Sequence, residues 1–267
     1  MDKSLKDKWE GLIGHLKTYD RVAIAFSGGV DSSFLLKAAS FALGKENVIA
    51  ITADSAFVPS KELEEAKAIT KDLEIEHIIL AMDVLSVEAI KKNPRDRCYI
   101  CKKNVFTDII HTANNVGITV IWDGSNIDDE GDYRPGKKAL QEMHVQSPLK
   151  ECGLTKKDIR ELSRELGLPT WEKPSMACLA SRIPYGDTIT KEKLAMIEKA
   201  ENYISDLGFT QFRVRHHDGI ARLELIPEEM PRIFDIKLMK QINDDIKSFG
   251  FTFVAMDLSG YRMGSLN

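Results

Sequence analysis

The chain has 267 residues, 43% of them hydrophobic, with 37 Lys and Arg against 41 Asp and Glu for a net charge of −4. That length suits one large domain or two unequal ones, with the composition of an ordinary water-soluble fold. No apolar run approaches the ~20 residues of a membrane helix, and the net charge gives no global push toward nucleic acid. The start, Met1-Asp2-Lys3-Ser4-Leu5-Lys6, is charged and lacks a secretory apolar core, so a cytoplasmic protein is expected. Four cysteines in such a chain suit ligands, nucleophiles or bystanders better than a disulfide framework.

Residues 5–18 have the pattern of a short amphipathic helix. Strands and helices then alternate. Val22-Ala23-Ile24-Ala25-Phe26 reads as a buried parallel strand, and residues 34–39 as a helix. Val48-Ile49-Ala50-Ile51-Thr52 is the second strand, residues 61–73 a helix, and His77-Ile78-Ile79-Leu80-Ala81 the third strand. A helix over 100–115 precedes Ile118-Thr119-Val120-Ile121-Trp122, the fourth. This alternation predicts an α/β fold with a doubly wound parallel sheet. Thr155-Lys156-Lys157-Asp158 opens another helix with a capping box, and Gly167-Leu168-Pro169 ends it. After Gly186 come a helix near 190–207, strands at 212–215 and 221–226 around the hairpin signal His216-His217-Asp218-Gly219, a helix near 236–248 and a strand at 251–254. The division is therefore expected at 1–185 and 186–267, the latter a small second α/β domain.

In parallel sheets ligands sit beyond the carboxyl ends of the strands, and the candidate motifs follow strands. Ser27-Gly28-Gly29-Val30-Asp31-Ser32-Ser33 joins the first strand to a helix. Its glycines allow a tight turn with exposed N–H groups. Ser32 and Ser33 add hydroxyl donors, and the helix N-terminus adds partial positive charge, so the segment can cradle phosphate. No Gly-Lys-Ser/Thr follows, so it is not a Walker A loop. Thr52-Ala53-Asp54-Ser55 leaves the second strand, where it can contact a nucleoside or simply cap the next helix. The oxygen-rich run from Asp123 and Gly124 to Asp132 leaves the fourth strand, where carboxylates can help hold Mg²⁺ on phosphates. Arg134 just beyond can pair with an anionic substrate.

Cys98-Tyr99-Ile100-Cys101 places two thiols on one helical face. Alone it is a weak signal, because zinc needs four ligands and no second CxxC exists. With Cys178, three thiolates can hold a [4Fe–4S] cluster by three corners, leaving one iron open to sulfide. Cys152, which precedes a helix, could close such a cluster as a fourth ligand, though it reads better as a bystander. Arg213 and Arg215 share a strand face, with Arg222 and Glu224 beside them, and suit a phosphate or carboxylate ligand. His216 and His217 point apart in extended backbone and are taken as turn residues.

The segment at 27–33 resembles the PP-loop of ATP pyrophosphatases, which cleave ATP between the α and β phosphates. Joined to residues 124–136, 171–186 (with Cys178-Leu179-Ala180-Ser181-Arg182-Ile183-Pro184-Tyr185-Gly186) and 212–224, it resembles the LarE family of ATP-dependent sulfur transferases over most of the chain. The resemblance implies that each carboxylate of pyridinium-3,5-biscarboxylic acid mononucleotide is adenylylated and then converted to a thiocarboxylate, in synthesis of a nickel-pincer nucleotide cofactor. Ser27, Gly28, Gly29, Asp31, Ser32, Ser33, Asp54 and Gly124 are expected with ATP, Asp31 ordering the loop or touching the metal shell. Arg134, Ser181, Arg182, Arg213, Arg215 and Glu224 fall to the substrate. In one branch the cysteine at the Cys178 position gives up its own sulfur. In the other a CxxC joins it to bind a [4Fe–4S] cluster supplied with sulfide, and Cys98 and Cys101 put this chain there. A homo-oligomer, a hexamer in the family, is also implied. The competing readings are a tRNA thiolase, an amidating synthetase of the NAD or GMP type, and a nucleotide- or cluster-binding module without turnover.

Overall fold

Lys3–Leu16 forms helix α1, which buries Leu5, Leu12, Ile13 and Leu16 as one stripe. There follow β1 (Val22–Ala25), α2 (Val30–Leu43), β2 (Val48–Asp54), α3 (Ser60–Asp72), β3 (Glu76–Ala81), α4 (Glu88–Lys91), α5 (Arg97–Asn115) and β4 (Ile121–Trp122). Then come α6 (Pro135–Glu142), α7 (Pro148–Glu151), α8 (Lys156–Glu165), α9 (Lys191–Asp206), β5 (Phe212–His217), β6 (Ile220–Leu225), α10 (Ile236–Ser248) and β7 (Phe253–Met256). The structure, a computed structural model, describes residues 3–131, 135–174 and 177–262. Among them no helix is long and apolar enough to cross a membrane.

The chain divides into two compact units, one of Met1–Asp83 with Asp96–Met176 and one of Val84–Arg95 with Ala177–Asn267. The first is built on a four-stranded sheet of order β3-β2-β1-β4, parallel throughout. β1 is apolar on both faces because both are covered. Val22 and Ile24 join Val48, Ala50 and side chains of α1, α2, α3 and α8 in one core. Ala23 joins Ile49, Ile51, Ile121 and α5 residues Ile109 and Ala113 in the other. The α/β, doubly wound expectation is met. β2 and β3 lie to one side of β1 and β4 to the other, so the strand order reverses between β1 and β4. In such sheets that crevice, at the carboxyl ends, receives the ligand.

In the second unit β5 and β6 form an antiparallel hairpin and β7 adds in parallel to β6. Asp218 and Gly219 (φ 44° and 84°) form the two-residue turn, both in the left-handed conformation that matches strand twist. The sequence reading placed the second domain from 186; the compact unit starts earlier and includes 84–95. Buried Asn93 accounts for the difference. Its side-chain amide donates to the carbonyls of Ile183 (3.2 Å) and Pro184 (2.7 Å), and its own carbonyl accepts the N–H of Gly186 (2.9 Å).

Candidate active site

The loop after β1 makes a tight bend at Gly28, whose φ is +70°. A Cβ there would lie 3.0 Å from the Cβ and 3.2 Å from the Cα of Ala66 on α3, so glycine is needed for both conformation and space. Gly29 caps α2 without a side-chain cap hydrogen bond, and its own N–H donates to the Ser27 hydroxyl (3.4 Å) at the positive end of the helix. The serines divide their roles. Ser27 is exposed at the loop surface. The Ser32 hydroxyl turns back, donating to the carbonyl of Gly29 (3.3 Å) and lying 3.1 Å from the Ser27 hydroxyl. The Ser33 hydroxyl is fully buried and has no hydrogen-bond partner among the described residues.

Asp31, in the first turn of α2, pairs through Oδ2 with the ammonium of Lys156, while Oδ1 is buried without a hydrogen-bond partner among the described residues. Burial pushes the Asp31 carboxyl above the usual carboxylate range, and Lys156 opposes that shift. Lys156 opens α8, just after Thr155, whose capping box with Asp158 is as expected. Its backbone N–H also donates to Asp128 (2.7 Å). The loop after β4 thus meets the PP-loop through α8. It also meets it directly, since a Cβ on Gly124 would fall 2.9 Å from the Ser32 nitrogen. Asp123 accepts from the hydroxyls of Ser125 and Ser147, both at 2.5 Å. Asp129 receives the N–H of Asn126 (3.0 Å) and acts electrostatically on Asp31. Arg134, expected at the substrate, lies outside the described residues.

Lys173 was not singled out from the sequence, yet its largely buried ammonium bonds the carbonyl of Gly28 (3.1 Å) and pairs with Glu62 and Glu65 of α3, both at 2.7 Å. It locks the loop against that helix. Thr52 is buried beneath the cradle, donating to the carbonyl of Phe26 (2.7 Å) and meeting His77 Nε2 (2.7 Å). The Ser55 hydroxyl accepts the N–H of Phe57 (3.3 Å), a local turn, while the N-cap of α3 is Pro59. Asp54 closes β2, half-buried at the carboxyl edge of the sheet.

Cys98 and Cys101 sit one turn apart near the start of α5, both half-buried. A guanidinium nitrogen of buried Arg97 reaches the Cys98 sulfur at 4.0 Å. Cys178 caps a short 3-10 turn in the second unit and is exposed. Cys152 packs against the main core, and burial pushes its thiol up. Among the described residues no cysteine is in a disulfide. Among the described residues no three His, Cys, Asp or Glu are gathered as a metal site. The two CxxC thiols supply no more than two ligands.

In the second unit, Arg182 is fully buried and bonds Glu201 through Nε (2.9 Å) and a terminal nitrogen (2.8 Å). Its other terminal nitrogen reaches the carbonyls of Ala177 and Cys178 (3.1 Å) and the Ser181 hydroxyl (3.0 Å). Arg182 therefore shapes the Cys178 turn from within. Arg215 donates to the Ser181 carbonyl (2.7 Å) and pairs with fully buried Glu224 (2.9 Å), which also holds Arg222 (2.7 Å). Arg213 stands across the hairpin from Glu224 on the same face. The expected substrate residues Ser181, Arg182, Arg213, Arg215 and Glu224 do converge. The histidines are not in the turn: both belong to β5. They point to opposite faces, and His217 shares the arginine face. Burial lowers both their pKa values below the ordinary histidine value.

A family model described as NAD synthase matches residues 10–108. An uncharacterized protein, slr1717, of Synechocystis sp. is 40% identical over 263 residues, spanning 98% of each chain. The pyridinium-3,5-bisthiocarboxylic acid mononucleotide synthase of Lactiplantibacillus plantarum is 39% identical over 265 residues, covering 99% of this chain and 95% of that one. An uncharacterized protein, MJ0830, of Methanocaldococcus jannaschii is 30% identical over 243 residues, 91% of each. With the PP-loop on its parallel sheet and this match along nearly its whole length, the chain belongs to the LarE family, that of the L. plantarum synthase.

Proposed function

We propose that the chain is an ATP-dependent sulfurtransferase that turns the carboxylates of pyridinium-3,5-biscarboxylic acid mononucleotide into thiocarboxylates. The observation that carries this is the near full-length identity to the L. plantarum synthase. In the first half-reaction a substrate carboxylate oxygen bonds to the α-phosphorus of ATP, the bond to the bridging oxygen breaks, and pyrophosphate leaves. In the second, a sulfur nucleophile attacks the acyl carbon and AMP departs with its electron pair. A carboxylate is a poor electrophile, and adenylylation supplies the leaving group.

The N-terminus of α2 and the Gly29 turn receive the phosphates. Asp31, with a free carboxylate oxygen, is placed to hold Mg²⁺, and Lys156 beside it to neutralise departing pyrophosphate. Arg213 and Arg215 take substrate anions. A [4Fe–4S] cluster would be held by Cys98, Cys101 and Cys178 and would supply the sulfur as sulfide. The second reading, with Cys178 as sacrificial donor, is favoured by the exposure of its thiol. A cytoplasmic location belongs to this reading. The homo-oligomer belongs to the same reading.

The test is pyrophosphate and AMP release that depends on the mononucleotide, alongside iron and acid-labile sulfide per chain after anaerobic purification of wild type and C98A. ATP cleavage indifferent to the mononucleotide would refute the substrate assignment. Iron present in wild type and lost in C98A supports the cluster. No iron even after reconstitution, with dehydroalanine at position 178 after one turnover, establishes the sacrificial route.

A further inference from the structure

Three side chains beneath the nucleotide loop have more contacts than protons to fill them. The Thr52 hydroxyl of β2 donates to the carbonyl of Phe26 (2.7 Å), the residue before Ser27, and lies 2.7 Å from Nε2 of His77 on β3. The Thr70 hydroxyl of α3 lies 3.0 Å from Nδ1 of the same ring, and 3.2 Å and 3.0 Å from the carbonyls of Ala66 and Lys67. Both threonines are buried and His77 is half-buried, with the Phe26 ring edge-on to the imidazole at 5.8 Å. Ala66 is the residue on which the Gly28 bend rests. One ring thus stands between the entry to the loop and the helix that supports it.

The proton count selects one arrangement. Burial holds the His77 pKa below the ordinary histidine value, and Lys67 of α3, itself paired with Glu64 (2.6 Å), adds to the shift. Near neutral pH the ring is therefore uncharged and carries one N–H. Each hydroxyl likewise has one proton to give. If Nδ1 carries the ring proton, Nε2 must accept from Thr52, and the Phe26 carbonyl loses its hydroxyl donor at the buried end of β1. If Nε2 carries it, Nε2–H donates to the Thr52 oxygen, Thr52 keeps its bond to Phe26, and Nδ1 accepts from Thr70. Thr70 then releases the Ala66 and Lys67 carbonyls at little cost. Both lie inside α3, where backbone N–H groups four residues further on already meet them.

We propose that His77 is a positioning residue for ATP, held as the Nε2–H tautomer. Through Thr52 it fixes the Phe26 carbonyl, and with it the backbone that enters the phosphate-binding turn. This rests on the reading that the turn at 27–29 receives the phosphates of ATP.

The experiment is calorimetric titration of ATP into wild type, H77Q, H77N, H77L, T52V, T52V/H77L and G28A, with a melting curve for each. Nitrogen NMR of histidine-labelled wild type reads the tautomer, the His77 signals being those missing from H77Q. The ring is expected with Nε2 protonated and Nδ1 bare. H77L should weaken ATP binding about 3–10-fold, the scale of one hydrogen bond. H77Q, whose amide nitrogen stands where Nε2 does, should bind ATP like wild type. H77N, whose amide stands at the Nδ1 position and falls short of Thr52, should resemble H77L. T52V should weaken binding at least as much, and adding H77L to it should change nothing further. G28A, which strains the turn itself, should also weaken it. A protonated Nδ1 overturns the proposal. So does wild-type affinity in folded H77L, and so do equal affinities in H77Q and H77N, which would assign any effect to the packing of the ring against Phe26. A further loss in T52V/H77L beyond T52V overturns the route through Thr52. Unchanged ATP binding in folded G28A refutes the phosphate reading of the loop itself.

Discussion

A single methyl group at Gly124 tests how the loop after β4 meets the nucleotide cradle. In G124A the new Cβ would lie 2.9 Å from the Ser32 nitrogen, 3.1 Å from its Cα and 3.2 Å from the carbonyl carbon of Asp31. All three are backbone atoms of the first turn of α2, so no side-chain rotation relieves the clash. Against ordinary contacts of about 3.5 Å or more the overlap is roughly half an ångström. Either the loop or the helix start must retreat. Overpacking of this kind costs about 1–3 kcal/mol, and at about 2–4 °C per kcal/mol for a unit of this size the melting temperature falls by about 2–12 °C. The control is G11A on α1, where nothing lies within 4 Å of the added carbon. Glycine to alanine inside a helix should stabilise by about 0.5–1 kcal/mol. Scanning fluorimetry and ATP titration on both variants read the result. G124A should also bind ATP about tenfold more weakly or worse, about 1.4 kcal/mol, because the displaced backbone is the phosphate-binding turn. A G124A protein that melts with wild type and binds ATP equally well would refute the close approach. One that is destabilised yet keeps its ATP affinity would separate this loop from the nucleotide site.

Replacing Arg182 by Met strands Glu201 as a buried charge without its ion-pair partner, and should cost about 3–5 kcal/mol in urea unfolding. R182M/E201L should recover a good part of that loss; no recovery would mean that the bonds to the Ala177 and Cys178 carbonyls dominate. His77 supplies a pH test. Burial holds its pKa below the ordinary 6.5, with Lys67 adding to the shift. The unfolded chain therefore takes up the proton first, so stability is complete above about pH 6.5 and is lost as pH falls through the folded value. His216 and His217 act in the same direction, while Asp31, with its raised pKa, acts oppositely at lower pH. The melting temperature of wild type should drop on going from pH 7 toward 5, and less so in H77N; equal slopes for the two proteins would refute the assignment.

What could be read from the sequence was what neighbouring residues decide. The capping box at Thr155 and the left-handed turn after His217 depend on a handful of consecutive side chains. The buried runs of β1 and β2 announced a sheet covered on both faces. Elements that depend on partners were read less well. Residues 118–122 look like one strand, yet only Ile121 and Trp122 pair with β1, because Ile118 is drawn into the core beside α5. β7 begins two residues later than its apolar run, since Phe251 is buried against His216 and pairing starts at Phe253. In the site, glycines and serines of the loop were visible, but the lysines that steady it were not. Lys156 meets Asp31 across 125 residues of chain, and Lys173 meets Gly28 across 145. No local pattern encodes either pairing. Arg182 was seen as a substrate ligand, whereas its contacts to Glu201, Ala177 and Cys178 make it the frame of the cysteine turn.

The contact between Gly28 and Ala66 ties two positions into one heritable constraint. Because the loop backbone rests on the alanine Cβ, the tolerance usually sought in the glycine must be sought in the helix as well. Position 66 is confined to the smallest residues, for a valine there would intrude on the loop from the opposite side. Across divergent relatives, α3 should drift freely at its exposed positions while this one stays small. An inherited change that enlarged it would reach the phosphate cradle without altering a single residue of the loop.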